Sequence, residues 1–227
     1  ALGRDQEVRA YGGSATIEYH VNDQWSLKSI TAAREDKSWA PIDFDALPTV
    51  DMEVPALYTN KQFSQEFQLS YTSERLQGIA GVYYMDANAY NKFDTILAGA
   101  FPSSTFTSGD IDTKAWAAYF DGSYNVNDAL SVSLGGRYTV DERTASIYRQ
   151  IFLGLGGSPE MGNPGAILFR TDTDYRNGTL QRKDKKFTPR VAVNYKLSQD
   201  HNVYASYSEG FKGGGFEPRL NMVGTCL

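Results

Sequence analysis

The sequence predicts an all-β fold: an antiparallel transmembrane β-barrel wall of about eight strands, with short turns at one end and long loops at the other. Two observations lead to this prediction. Apolar and polar residues alternate with a period of two in paired segments, and short and long connections alternate between those segments. A period of two is typical of strands, and alternating short turns and long loops are typical of an outer-membrane barrel.

Four hairpins are predicted in succession. In the clearest one, segments 116–126 and 130–141 alternate on either side of the turn dipeptide Asn127-Asp128. Both strands reach the 9–11 residues that cross a bilayer at a tilt. The other predicted hairpins join 15–21 to 25–35, 63–72 to 76–87, and 187–197 to 203–211. The returning strands after Trp25 and Leu76 alternate less regularly.

The connections sort by length. Within hairpins they have two to five residues, whereas between hairpins they run over 36–62, 88–112 and 142–186. Loops longer than about 12–15 residues are uncommon in compact domains unless they are functional. We therefore expect function in these three segments.

A tyrosine precedes each predicted tight turn on the apolar side of its strand. These residues are Tyr19, Tyr71, Tyr124 and Tyr195. In a barrel they would lie at one depth and form an interfacial aromatic girdle.

Composition excludes several classes of protein. The net charge of -5 argues against a nucleic-acid footprint, and the single Cys226 excludes an internal disulfide framework. No apolar run approaches the roughly 18 residues of a transmembrane helix. His20 and His201 lie beside predicted turns without metal-ligand partners, and no nucleophile elbow or phosphate loop is present. We expect neither an enzyme nor a bound metal or cofactor.

Five segments resemble TonB-dependent outer-membrane receptors, in the order of that family. They are 27–32 (LKSITA), 63–69 (FSQEFQL), 81–84 (GVYY), 130–141 (LSVSLGGRYTVD) and 203–216 (VYASYSEGFKGGGF). The resemblance implies a large barrel of about 22 strands around an N-terminal plug. Residues 1–227 would then be a partial β-barrel domain without the plug. The ending Gly-Thr-Cys-Leu lacks the final aromatic strand of an outer-membrane protein, so we expect an interior segment.

The resemblance also implies a function in the bacterial outer membrane: TonB-dependent uptake of a bulky nutrient, with an iron–siderophore complex favoured. The expected partners are outer-membrane lipid, a ligand such as a ferric siderophore, and the TonB energy complex acting through the missing plug region, but no nucleic acid. Aromatic and arginine residues in the long connections are the candidate ligand-binding residues, because they suit bulky or anionic chelates. They are Trp39, Tyr58, Tyr90, Phe93, Tyr148, Arg149 and Arg170.

Two alternatives stay open at the level of sequence. One is a self-contained small outer-membrane barrel with a structural or adhesive role, and the other is a soluble carbohydrate-binding β-sandwich. The polar strand faces fit either a network inside a small closed barrel or contact with a plug in a larger one. Their charged candidates are Glu66, Asp121, Arg137, Arg190, Lys196 and Glu209.

Overall fold

The computed structural model describes residues 5–46, 49, 51–216 and 218, and of residues 170–179 it describes the backbone alone. Eight strands form one sheet. They are β1 (Glu7–His20), β2 (Trp25–Asp43), β3 (Met52–Thr72), β4 (Leu76–Leu97), β5 (Ser103–Asn125), β6 (Leu130–Leu153), β7 (Ile167–Lys196) and β8 (Asn202–Ser208). A single turn of 3₁₀-helix, Pro159–Met161, follows β6. Within the described part of the chain, no helix has the length and hydropathy needed to cross a membrane.

Each strand pairs antiparallel with the next one in the chain, so the sheet order is β1 to β8 without crossovers. The predicted count of eight strands is confirmed, including β2 and β4, whose alternation is irregular. Among the described residues β1 and β8 are not paired with each other, so the sheet is open. The closed small barrel is therefore not what this chain forms.

The short turns lie where the sequence predicts them. In the β1–β2 turn, the Asn22 side chain accepts hydrogen bonds from the backbone N–H groups of Gln24 and Trp25, both at 2.9 Å. In the β5–β6 turn, Asn127 accepts from Ala129 at 2.9 Å and Leu130 at 2.8 Å. An asparagine that bonds the backbone two or three residues ahead stabilises a tight turn.

The predicted long loops are wrong in extent. The connections are 44–51, 98–102 and 154–166, and most of 36–62, 88–112 and 142–186 is strand. These arms carry polar residues on both faces, so their hydropathy does not alternate. Their backbones still pair, because each hairpin arm offers its neighbour a complete set of hydrogen-bonding groups.

One face of the sheet carries an exposed apolar band. Leu134 is 54 % exposed, with Phe120 and Val82 at 52 % each. Two aromatic rows border the band. The lower aromatic row, near the short turns, consists of Trp25, Tyr71, Tyr124 and Tyr195. The upper aromatic row, on the other side of the band, consists of Phe63, Tyr84, Trp116, Tyr138 and Phe187. Nine residues, 63–71, join the two rows on β3, as a tilted bilayer crossing requires. Tyr19, Tyr71, Tyr124 and Tyr195 all lie on this apolar face, as predicted.

The opposite face is polar and internally bonded. The Tyr119 hydroxyl hydrogen-bonds to the Glu66 carboxylate, and the Arg137 guanidinium lies 5.6 Å from the Tyr119 ring centre and 5.7 Å from that of Tyr83. Gly81 makes room for this arrangement, because a Cβ there would lie 2.6 Å from the Tyr119 ring. The polar face is thus packed around aromatic rings that the charged groups hold in place.

A second part of the polar face joins β5 to β7. Arg190 Nη1 lies 2.6 Å from Asp121 Oδ2. A Cβ at Gly135, between the two strands, would lie 2.4 Å from the same carboxylate oxygen, so glycine leaves space for this ion pair. Lys196 shares the face. Glu209 lies one residue beyond β8, where it accepts a hydrogen bond from the Tyr207 hydroxyl at 2.9 Å and forms an ion pair with Lys186 at 2.9 Å. The prediction that these charges share one face is confirmed for Glu66, Asp121, Arg137, Arg190 and Lys196, whereas Glu209 lies beyond β8 and strand pairing does not place it there.

Candidate ligand-binding cavity at the long-connection end

A cavity of about 430 Å³ lies on the polar face of β2–β6, beyond the apolar band. Tyr58 on β3, Phe93 on β4, Thr107 on β5 and Arg149 on β6 line it, and Phe216 closes one side. Phe93 follows Tyr84 of the upper aromatic row by nine residues, which is about 30 Å along the strand. The cavity therefore lies well outside the apolar band.

The floor of the cavity is apolar. Val54, Ala56 and Phe93 are buried against one another, and Met52 and Tyr58 pack on them. Their burial holds the two arms of the β3–β4 hairpin together where no membrane supports them. The cavity thus has a rigid wall able to bury an apolar ligand surface.

Arg149 brings a positive charge to this apolar wall. The side chain is only 9 % exposed, and its Nε donates to Thr107 Oγ1 at 3.3 Å while Nη2 donates to the Pro218 carbonyl at 3.2 Å. Register shifts in the β6–β7 pair flank it, at Ala145/Ile147 and Arg149/Gln150. Bulges of this kind re-aim side chains at functional ends of sheets. A fixed guanidinium beside aromatic rings is suited to an anionic group on an apolar ligand.

The segment after β8 crosses the polar face to reach the cavity. Gly214 N donates to Asp184 Oδ2 at 3.0 Å, and a Cβ at Gly214 would lie 2.2 Å from Arg182 Nε. A Cβ at Gly213 would lie 2.7 Å from Asp141 Oδ2. The run of glycines lets the backbone lie against charged side chains, and Phe216 and Pro218 then border the cavity.

The cavity brings together part of the predicted site. Tyr58, Phe93 and Arg149 line it with their side chains on the polar face. Tyr90 borders it as well, although the alternation of β4 directs its side chain to the face of Asp110. Burial, and then the charge of Asp110, raises the pKa of the Tyr90 hydroxyl.

The other predicted residues lie elsewhere. Trp39 on β2 and Tyr148 on β6 occupy the opposite face, where the Tyr148 ring contacts Phe106 at 6.2 Å between centres. The backbone of Arg170 is in β7, but its side chain lies outside the described residues. All seven predicted residues are in strands, so their assignment to loops is wrong. The reason is the pairing of the polar hairpin arms described above.

Sequence reasoning missed several cavity residues. Val54 and Thr107 lie in segments without visible alternation, so no local pattern marks them. Phe216 and Pro218 line the cavity only because the glycine run 213–215 lets the chain cross the polar face to reach it. No three His, Cys, Asp or Glu side chains in the described part of the chain group as metal ligands would.

On the face opposite the cavity, the β6–β7 connection is fastened to β4. Asp94 is fully buried, and its Oδ2 accepts hydrogen bonds from the Ser158 backbone N–H at 2.6 Å and from the Ser158 hydroxyl at 3.2 Å. Lys92 Nζ donates to the Glu160 carbonyl at 2.9 Å. Gly157 has a φ of +93°, and a Cβ there would lie 2.4 Å from Asp94 Oδ2. Glycine is therefore required for this contact.

We expect this contact to strengthen as pH falls from neutral. Burial raises the pKa of the Asp94 carboxyl, although the Ser158 hydrogen bonds oppose the change. A raised folded-state pKa means that the folded state binds the proton before the unfolded state does, so stability increases as pH falls through that pKa. The rate of backbone hydrogen exchange in residues 154–166, corrected for intrinsic rates, should decrease as pH is lowered from neutral toward the ordinary pKa of a carboxyl group.

Asp94→Asn is the matched variant, because the amide retains an acceptor for Ser158 and carries no titratable group. In this variant the corrected exchange should become independent of pH. Equal pH dependence in both proteins would show that another group controls the connection.

The sheet is open and antiparallel, aromatic rows border its exposed apolar band, and polar arms extend it at one end. These features are typical of part of the wall of a membrane-spanning β-barrel. The chain matches the family described as TonB dependent receptor-like, beta-barrel, over residues 2–222. It therefore belongs to the TonB-dependent receptor β-barrel family. In barrels of this kind the apolar face contacts lipid, the short turns face the periplasm and the long connections face outward.

Two solved structures share the fold. The ferric yersiniabactin uptake receptor FyuA from Yersinia pestis aligns with a TM-score of 0.69 and 17% identity, over 96% of this chain and 30% of that one. The ferric-catecholate import receptor Fiu from Escherichia coli K12 aligns with a TM-score of 0.53 and 14% identity, over 89% of this chain and 33% of that one. The chain thus spans about a third of the structures it matches. No curated protein sequence matches it.

Proposed function

We propose that the chain is part of the barrel wall of a receptor that takes up a bulky nutrient, with an iron–siderophore complex as the favoured cargo. The observation that carries this proposal is the cavity, which combines an apolar aromatic wall with the buried guanidinium of Arg149 on the barrel interior. A ferric siderophore is a bulky chelate, and many are anionic and partly aromatic, so both features suit it.

The structural neighbours support this choice of cargo. FyuA is an uptake receptor for ferric yersiniabactin and Fiu is an import receptor for ferric catecholates, two chelates of this type. Family membership supports a receptor or transporter rather than an enzyme. It also supports an outer-membrane location and energy supplied by TonB.

The proposal includes a division of the receptor. Residues 1–227 form a partial barrel domain, and a plug domain and further strands belong to other parts of the receptor. Two facts support this: the sheet is open at β1 and β8, and the neighbours are about three times as long as the chain. TonB would then act through the plug and not through the residues described here.

Ligand binding to the full-length receptor tests the proposal. We would titrate purified receptor in detergent with ferric yersiniabactin and with a ferric catecholate, and follow intrinsic fluorescence. Tyr58→Ala removes a ring from the cavity and should weaken binding of the cognate chelate by about tenfold, as for a buried aromatic contact. Trp39→Ala on the adjacent strand removes a ring from the opposite face and should leave affinity within about twofold.

Two outcomes would count against the proposal. If neither chelate binds the unmodified receptor, ferric yersiniabactin and ferric catecholates are not the cargo. If Tyr58→Ala and Trp39→Ala weaken binding equally, the cavity is not the binding site.

A further inference from the structure

Three lysines surround one glutamate on the lipid side of the sheet. Lys114 on β5 lies directly opposite Glu142 on β6, which lies opposite Lys183 on β7. Lys185 is two residues nearer the band, opposite Val140. We call Lys114, Lys183 and Lys185 the lysine triad. All three lysines are exposed.

The triad carries three positive charges against two adjacent carboxylates, Glu142 and Asp86, of which Asp86 lies opposite Lys114 on β4. Lys183 Nζ forms an ion pair with Glu142, while in the described part of the chain Lys114 and Lys185 form no ion pair. Hydrogen bonding by Lys183, its charge, and then the charges of Lys185 and Lys114 lower the pKa of the Glu142 carboxyl. Asp86, opposite Lys114 on β4, accepts a hydrogen bond from the Tyr84 hydroxyl at 3.3 Å.

The depth of the triad is fixed by the aromatic row below it. Trp116 follows Lys114 by two residues on β5, and Phe187 follows Lys185 by two residues on β7. A lysine at this position can lay its methylene stem along the apolar band and extend its ammonium into the headgroup layer. Because the long connections face outward, this is the headgroup layer of the outer leaflet.

We propose that the lysine triad binds the phosphate of an anionic lipid headgroup in the outer leaflet. Three ammonium groups within reach of one point supply charge complementarity to a phosphate, and the band beneath supplies a surface for the acyl chains. The site is independent of the cavity and of the identity of the cargo. It requires only that the apolar face contacts lipid.

The same face offers a matched control. Lys61 on β3 lies two residues above Phe63 of the upper aromatic row and forms an ion pair with Glu35 at 3.4 Å. With Lys37, two residues from Glu35 on β2, this group has two lysines, one fewer than the triad. Lys61→Gln removes one positive charge on the same face, just above the upper aromatic row, and leaves the triad unchanged.

Native mass spectrometry of the full-length receptor in detergent tests the proposal. The probes are a phosphatidic acid and a phosphatidylcholine with identical acyl chains. We expect the unmodified receptor to retain phosphatidic acid in preference. Lys114→Gln, Lys183→Gln and Lys185→Gln should each reduce that preference by about fivefold, the effect of one lysine near an anionic lipid surface. Lys61→Gln should leave it unchanged.

Glu142→Gln provides a result that misfolding cannot imitate. It removes one competing carboxylate and should increase retention of phosphatidic acid severalfold. Excess inorganic phosphate should not displace the lipid, because it lacks the acyl chains that contact the band.

Three results would overturn the proposal. They are equal retention of the two lipids by the unmodified receptor, equal losses in the triad and Lys61 variants, and no gain in Glu142→Gln. Displacement of the lipid by inorganic phosphate would show a site for free anions and not for a lipid headgroup.

Discussion

Leu134→Arg is expected to destabilise the membrane-inserted receptor by about 2–4 kcal/mol, the cost of an arginine at the middle of the bilayer. Leu134 is 54 % exposed on the apolar face of β6, four residues from Leu130 and four from Tyr138. It therefore lies midway between the two aromatic rows. The arginine side chain has no polar partner at this depth, so its charge must remain in hydrocarbon or drag water and headgroups inward.

Thr144→Arg is the control for this prediction. Thr144 is on the same strand and the same face, ten residues further along, between Asp112 on β5 and Gln181 on β7. Because it lies in the polar arm above the band, an arginine there should change stability by no more than about 0.5 kcal/mol. Reversible unfolding of the full-length receptor from lipid vesicles in denaturant measures both variants.

The pair of variants also separates two kinds of fold. In a soluble β-sandwich, an arginine at either exposed position would change the free energy of unfolding only slightly. Equal, small effects of Leu134→Arg and Thr144→Arg would thus contradict a lipid-facing band.

Arg149→Ala is expected to release the segment after β8 from the cavity and to destabilise the outward end of the sheet by about 2–3 kcal/mol. The guanidinium donates to both Thr107 and the Pro218 carbonyl, and its loss leaves buried acceptors without a donor. The truncated side chain also leaves a void among well-packed residues. Backbone exchange in 209–216 should therefore rise with little change in the membrane-spanning strands.

Two further variants give this prediction its controls. Arg149→Lys keeps the charge but cannot reproduce the planar fork, so it should restore only part of the protection. Arg34→Ala removes an exposed arginine from the polar face of β2 and should change neither exchange nor stability measurably. Unchanged exchange in Arg149→Ala would show that the glycine run and its contacts with Asp184 hold the segment by themselves.

Local patterns were sufficient for the membrane-spanning half of the sheet. In 116–141 every second side chain faces lipid, so the hydropathy pattern shows the strand directly, and Asn127 marks the turn between its two halves. The inward charges followed from the same alternation, as the Arg190–Asp121 pair confirms. Family motifs fall mostly in these segments, because lipid and the barrel interior restrict the residues allowed there.

The outward half was not predictable in the same way. Both faces of the hairpin arms carry buried and polar residues, with Phe93 buried on one face and Phe106 on the other, so hydropathy does not alternate there and the strands depend on pairing between neighbours. Tyr58, Phe93 and Arg149 were chosen because aromatic and arginine residues are typical of ligand sites, and they line the cavity. Trp39 and Tyr148 met the same criterion but lie on the other face.

Sequence patterns alone predict the eight strands, the positions of the tight turns, the two faces of the spanning segments and the family. The length of the arms, the face on which each arm residue lies, and the route of the glycine run to the cavity follow only from the folded structure. The two groups differ in the distance along the chain between the residues that interact. Alternation and turn chemistry act between residues close in the chain, whereas the cavity joins β2–β6 with Phe216 and Pro218 through strand register and packing. Lys114, Lys183 and Lys185 likewise become one patch only when register aligns β5, β6 and β7.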